Sequence, residues 1–155
     1  VRVLLVTAAG QRCGLPAPDV REVLRAVRLT PLPGAPSCIE GVVDVRGAVV
    51  PVLDLRARLD LPLRPLEPSD FLVIVRAGAR LVALRADEVH DLVAIETDAL
   101  DVLPNVVARG RSVAGAARLP DGLVLIHDPA RFLSEVEAAT LADALDRVSS
   151  SAGAP

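Results

Sequence analysis

The sequence predicts a mainly β protein made of two small, related halves and finished by one C-terminal α-helix. Three observations lead there. Short apolar runs recur along the chain with turn residues between them. An order of glycines and apolar residues in the first half returns in the second. The hydrophobic fraction of 52% lets 155 residues bury a large core, in one ordinary domain or in two small barrels that share one. Short strands divided by turns, without helices alternating between them, favour barrels or sandwiches over an alternating β/α sheet.

The elements follow in order. Val1–Ala8 forms a strand, Ala9-Gly10 turns it, and Gln11–Leu15 returns it. Pro16, Ala17 and Pro18 end that hairpin. In Asp19–Arg28, Val20, Val23 and Leu24 suit a helical face, but β-branched content and short length favour a turn running into a strand. Thr30–Pro36 carries three prolines and a glycine and reads as a rigid extended connector, because proline fixes φ and removes a donor. Gly41–Val45 and Ala48–Leu53 flank Arg46-Gly47 as a hairpin. Asp54–Leu61 forms a short helical turn, and Pro62–Ser69 is a second connector.

Phe71–Ala77 and Arg80–Arg85 make another hairpin around Ala77-Gly78-Ala79, and Glu88–Glu96 a further strand. Thr97–Asn105 is expected to be a loop. Val113–Leu119 and Gly122–His127 pair around Pro120-Asp121-Gly122. Asp128 is expected to cap a helix with Pro129 at its first position, and Leu133, Val136, Leu141, Leu145 and Val148 to line one face. The chain is thus expected to be a single domain over 1–148, with halves of about 1–66 and 67–148 and a flexible tail at 149–155.

The halves echo one another. Leu4-Leu5-Val6 leads to Gly10, Arg12, Leu15, Val20 and Val23, as Leu72-Val73-Ile74 leads to Gly78, Arg80, Leu84, Val89 and Leu92. Gly41, Gly47, Asp54 and Leu59 then match Gly115, Gly122, Asp128 and Leu133 in order. Both halves need the same turns at the same places. Whether strands cross between the halves is left open.

Composition narrows the functions. A net charge of −3 gives no broad basic field for nucleic acid, and two phenylalanines among 1% aromatics supply no base-stacking platform. All 17 basic residues are arginine, which reflects coding bias. Cys13 and Cys38 are too few for a disulfide scaffold and fit buried free thiols in a reducing cytoplasm. Neither a signal peptide nor an apolar run of bilayer length is apparent, so membrane association is expected only through a partner.

No catalytic motif appears: no GxSxG, Walker A or GxGxxG pattern, and no metal-ligand spacing around His90 or His127. His90 is read as a rim histidine, and helix entry accounts for His127. Asp87, Glu88 and Asp91 look like solvated charge at turns and strand ends, and no sequence-local base activates Cys13. The chain is therefore expected to have no catalytic residue, metal or cofactor.

From about Val3 to Leu145 the sequence resembles CheW-like domains, the adaptors that couple bacterial chemoreceptors to the histidine kinase CheA. The resemblance is carried by Leu15-Pro16 with Val20-Arg21-Glu22-Val23, and by the Pro31-Leu32-Pro33 and Ala35-Pro36 connector. Its strongest part is Gly41–Gly47 (GVVDVRG) followed by Pro51–Arg56 (PVLDLR). Gly78, Asp87, Val89–Leu92 and Asp121–Ile126 complete it.

The resemblance implies two five-stranded SH3-like barrels around a shared core and no chemistry. It implies two partners: the regulatory domain of a CheA-type kinase and the cytoplasmic tip of methyl-accepting chemoreceptors, whose helices pack at an apolar groove between the barrels. It places partner-binding residues at Val20, Glu22, Gly41, Arg46 and Gly47. A role in twitching, gliding or another output is the alternative; a small β-barrel ligand-binding or enzymatic domain is a more distant one. From the residues themselves, Arg46 is either a forked donor to a partner or a solvated turn arginine. Gly41 and Gly47 suit turn requirements. Asp44 stands where the family usually has Asn, and its charge either weakens a partner contact or holds Arg46. Gly14 and Cys13 replace a more usual Ala and aromatic pair, which predicts looser packing there.

Overall fold

The computed structural model describes residues 1–102 and 112–152. Eleven strands and two α-helices occupy them: β1 (Arg2–Ala8), β2 (Gln11–Pro16), β3 (Val20–Arg25), β4 (Ile39–Val45), β5 (Ala48–Asp54), α1 (Leu55–Arg58), β6 (Phe71–Ala77), β7 (Arg80–Ala86), β8 (Glu88–Ala94), β9 (Leu100–Val102), β10 (Val113–Leu119), β11 (Gly122–His127) and α2 (Glu135–Ala152). The architecture is mainly β with a C-terminal helix, as predicted.

The strands form two sheets, ordered β8-β1-β2-β11-β10-β9 and β3-β6-β7-β5-β4. The halves have exchanged their first hairpins. The β1–β2 hairpin lies in the sheet built by β8, β10 and β11, and the β6–β7 hairpin lies between β3 and β5. Each exchange is sealed by one parallel joint, β2 with β11 and β5 with β7. Replacing every strand by its repeat counterpart converts one order into the other. Even the short β9, which pairs with Gly115, Ala116 and Ala117 of β10, has a counterpart in the isolated bridge between Thr30 and Val42.

The apolar runs of β1 and β6 are continuous because both of their faces are buried. Val3 and Leu5 face a core inside one sheet with Ala117, Val124 and Ile126. Leu72 and Ile74 face the core of the other with Val43, Val50 and Val52. The alternate residues, Leu4 and Val6 on β1 and Val73 and Val75 on β6, meet in a third, shared core. Period-two alternation sends neighbours to opposite faces, so these strands join all three cores. Leu141, Ala144 and Leu145 of α2 close the shared core with Leu32, Cys38 and Phe132.

Several local expectations change. Within the expected loop 97–105, Thr97–Ala99 is a 3-10 turn and β9 follows it; residues 103–105 lie outside the described residues. Asp128 caps only a 3-10 turn, accepting the Ala130 N–H at 3.0 Å. The helix starts at Glu135 because Ser134 and Glu137 form a capping box: the Glu137 N–H donates to Ser134 Oγ at 3.1 Å and the Ser134 N–H to Glu137 Oε1 at 2.9 Å. That shift takes Val136 off the buried face and leaves it 76% exposed. The helix continues to Ala152, into the stretch expected as tail. Packing at Gly14 is tight rather than loose, since a Cβ there would sit 2.7 Å from Val3 Cγ1.

Candidate functional site

The residues singled out by sequence lie on one sheet. Val20 and Glu22 are on β3, Gly41 is in β4, and Arg46 and Gly47 form the β4–β5 turn. Strands β3 and β4 are the two ends of their sheet. Even so, the Arg46 guanidinium forms an ion pair with Glu22. The sheet therefore curls until its terminal strands face each other, and a side-chain bridge spans the seam that no ladder closes. Opposite-charge pairs at strand edges also oppose pairing with a foreign strand.

The turn geometry explains the tip. Arg46 and Gly47 have φ of 50° and 87°, both in the left-handed region that a two-residue hairpin turn of this hand requires. Glycine adopts that region without strain, and arginine does so at some cost. Asp44 offsets part of it by accepting the Gly47 N–H at 2.8 Å. Asp44 thus braces the turn, and Glu22 holds Arg46. The Arg46 side chain is still 78% exposed, and Val49 beside it is 49% exposed, so the tip offers a fixed cation next to an apolar side chain.

Gly41 serves packing. A Cβ there would lie 2.6 Å from the Thr30 carbonyl oxygen and 3.1 Å from Leu29 Cβ. The chain passes this close because Thr30 and Val42 exchange two backbone hydrogen bonds of 2.9 and 2.7 Å. Val20 is half-buried against the shared core, whereas Val23 is exposed.

A second constellation was missed. Arg85, 2% exposed, pairs with Glu40, lies 3.5 Å from Asp54 and 3.4 Å from Asp70, and donates to the Arg64 carbonyl oxygen at 2.6 Å. Arg64 bridges Asp70 and Asp87, and Arg56 also donates to Asp87. Asp87 further accepts the Ala9 N–H at 2.8 Å, which ties the β1–β2 turn to α1 and to the 62–69 connector. Asp87 is therefore an inter-sheet anchor and not the solvated charge expected of it. Burial raises the Glu40 carboxyl despite Arg85. Burial also works against the Asp70 carboxylate, but bonds from Arg64 and the Glu67 N–H bring its pKa below the ordinary value. The available signal was an arginine inside the apolar run Leu81–Ala86, where a charge needs a buried partner.

The histidines and cysteines hold structural positions. His90 is a rim residue, with Nε2 2.7 Å from Thr7 Oγ1. His127 is 1% exposed, stacks on Phe132 with ring centroids 5.9 Å apart, and places Nδ1 2.8 Å from Ser112 Oγ. Burial lowers its pKa to about 4, so it is neutral near pH 7. Burial raises the Cys13 thiol to about 12 and also raises Cys38, and both cysteines are free. Neither thiol is poised as a nucleophile. Among the described residues no group of three or more His, Cys, Asp or Glu is placed to hold a metal, and no helix is long and apolar enough to cross a membrane.

Comparison with known proteins agrees with the fold. The family model described as "CheW-like domain" matches residues 2–137. The protein FrzA of Myxococcus xanthus is 42% identical over 93 residues, 60% of this chain and 57% of that protein. The chemotaxis protein CheW of Klebsiella aerogenes is 23% identical over 138 residues, 88% of this chain and 83% of its own length. The chain spans 57% of the length of FrzA and of the chemotaxis protein CheW of Rhizobium meliloti. Among solved structures, the scaffolding protein TtCheW from Thermoanaerobacter tengcongensis superposes with a TM-score of 0.80 at 26% identity, covering 88% of this chain and 94% of that one.

Proposed function

Because the chain belongs to the CheW-like domain family, we propose that it is a non-enzymatic adaptor coupling chemoreceptors to a CheA-type histidine kinase in bacterial chemosensory signalling. Its partners are then the kinase regulatory domain and the cytoplasmic receptor tip. It works in the cytoplasm and meets the membrane only through the receptors. The functional unit is 1–148, a reading that the exchanged hairpins support. FrzA and the protein PilI of Pseudomonas aeruginosa, 35% identical over 77 residues, keep the alternative of a different output in view.

The observation that carries the reading is the braced tip. Asp44 fixes the turn, Glu22 fixes the arginine, and most of the guanidinium remains open to solvent. A preorganised donor loses little entropy on binding and presents a forked pair of N–H groups to a carboxylate or carbonyl. In this reading Arg46 is the contact, and Glu22 and Gly47 position it. Gly41 and Val20 maintain the packing beneath. The test is a pull-down of the purified chain with a CheA regulatory domain and, separately, with a receptor tip. Binding to either at tens of micromolar is expected, and failure of both overturns the adaptor reading.

A further inference from the structure

The ionic network around Arg85 and Arg64 holds more carboxylates than guanidiniums. Its members, joined pair by pair, are three guanidiniums (Arg56, Arg64, Arg85) and five carboxylates (Glu40, Asp54, Asp70, Asp87 and Glu67), two negative charges in excess. The excess is borne by the more exposed carboxylates, since the Glu67 side chain is 55% exposed and that of Glu40 26%. The two members that face outward from the network on the 62–69 side are Glu40 and Glu67. Both line the same open cleft of about 490 Å³. The other walls are apolar, from Val27, Leu29, Leu66 and Pro68, with Arg28 exposed alongside.

The cleft is built rather than incidental. Glu40 is the extra residue of a β-bulge where Ile39 pairs with Leu53 and Gly41 with Val52. A bulge re-aims a side chain, and Arg85 from β7 holds this one in place. The opposite wall is fixed because Asp70 accepts the Glu67 N–H at 2.9 Å and the Arg64 side chain. The cleft is remote from the Arg46 tip. Glu40 and Arg46 lie at opposite ends of β4, about 20 Å apart along a strand.

We propose that this cleft is a docking site for a segment of a partner protein that carries one arginine between apolar side chains. The apolar walls bury the flanking side chains, and the guanidinium answers the surplus carboxylates. Arginine suits the position better than lysine. It is more weakly hydrated, and its planar fork can serve Glu40 and Glu67 together. Arg28 sets the limit: it supplies one positive charge from the rim, so a second cation in the segment gains nothing. The proposal rests on the adaptor reading only in that another protein supplies the segment.

The test uses the full chain, isotope-labelled, titrated with the acetylated and amidated tripeptides Leu-Arg-Leu, Leu-Gln-Leu and Leu-Glu-Leu while backbone amide shifts are followed. Leu-Arg-Leu is expected to move the amides of Val27, Leu29 and Leu66 and to saturate at a concentration at least tenfold below Leu-Gln-Leu. Leu-Glu-Leu is expected to leave them in place. Val27→Arg, at a position 55% exposed, should weaken the arginine peptide at least tenfold. Glu67→Gln, also on an exposed side chain, should weaken it about threefold. Equal titration by all three peptides, no movement at these amides, or an unchanged curve in both variants overturns the proposal. The pull-down on the wild-type chain is read separately. Its failure beside a positive titration overturns the adaptor reading alone, and its success beside a negative titration overturns the cleft alone.

Discussion

Gly41→Ala separates packing from partner contact at a position where the sequence allowed both. The added methyl would sit 2.6 Å from the Thr30 carbonyl oxygen, 3.1 Å from Leu29 Cβ and 3.2 Å from the Thr30 carbonyl carbon. Two of these are backbone atoms, so no rotamer change relieves the clash, and the 29–30 segment must move away from β4. The exchanged hydrogen bonds between Thr30 and Val42, 2.9 and 2.7 Å, are then stretched or lost. Each contributes about 1 kcal/mol net, and overpacking adds roughly 1–3 kcal/mol. Replacing glycine also restricts the unfolded chain, which returns about 0.4–1 kcal/mol. The sum is a loss of about 2–5 kcal/mol. For a chain near 150 residues that lowers Tm by about 4–20 °C. Urea and thermal unfolding measure it, with binding to the kinase regulatory domain assayed well below the transition. Reduced stability with binding kept within about twofold is expected. An unchanged midpoint refutes the close-approach reasoning, and an unchanged midpoint with lost binding makes Gly41 a contact.

Three further outcomes follow from the geometry. Arg46→Ala should leave stability within about 0.5 kcal/mol, since the side chain is exposed, yet weaken partner binding at least fivefold by titration calorimetry, and Arg46→Glu should weaken it more by also repelling Glu22. Neutral burial of His127 holds its pKa at about 4 against an ordinary 6.5, so the unfolded chain binds the proton more readily. Its contribution is complete above pH 6.5 and is lost as pH falls toward 4, up to about 3 kcal/mol; His127→Gln, which keeps a partner for Ser112, should flatten urea midpoints across that window. Burial pushes the Glu137 carboxyl up, but the Ser134 N–H and Arg58 outweigh it and bring it to about 2. A depressed carboxyl contributes stability above pH 4.5 that is lost as pH falls toward 2. Glu137→Gln should remove the acid sensitivity of that range and cost about 1–3 kcal/mol at neutral pH through the Arg58 pair and the capping box, read from circular dichroism of thermal melts.

Where a property depended on local chemistry, the sequence revealed it. Ala9-Gly10, Arg46-Gly47, Gly78 and Asp121-Gly122 turn the chain where expected, since left-handed backbone singles out few residue types. The helix start was misplaced by competition between two local signals. Asp128-Pro129 and Ser134-x-x-Glu137 both cap, and the second continues because apolar residues at Leu141, Ala144 and Leu145 have a core to enter. The candidate partner-binding residues were named through family resemblance; which of them pack and which face solvent was not legible. Nothing local to Asp44 says whether it bonds to Arg46 or to the Gly47 N–H.

The hairpin exchange was illegible for a deeper reason, and the ionic network follows from it. A repeat unit specifies the same strands and turns whether each hairpin joins its own sheet or its neighbour's, so the local pattern carries no information on the choice. The consequence appears only at the joints. Exchange requires a parallel seam between β5 and β7, and that seam brings Asp54 of one half opposite Arg85 of the other. It also places the β7–β8 junction beside the β1–β2 turn, where the Asp87 backbone N–H donates to the Thr7 carbonyl and its carboxylate accepts from Ala9. Asp87 looks like surface charge in sequence, and nothing local names the partners of Arg85, because most of these partners lie far along the chain: Glu40 is 45 residues from Arg85, and Ala9 is 78 from Asp87. Buried ion pairs add little net stability, yet breaking one leaves a charge that cannot be hydrated. An arrangement in which each hairpin stays with its own half would keep Asp70 beside Arg85 but take Glu40 and Asp54 away from it, so the network favours the exchanged fold. Charges that contribute little to how stable the protein is thereby help to decide which of two similar folds it adopts.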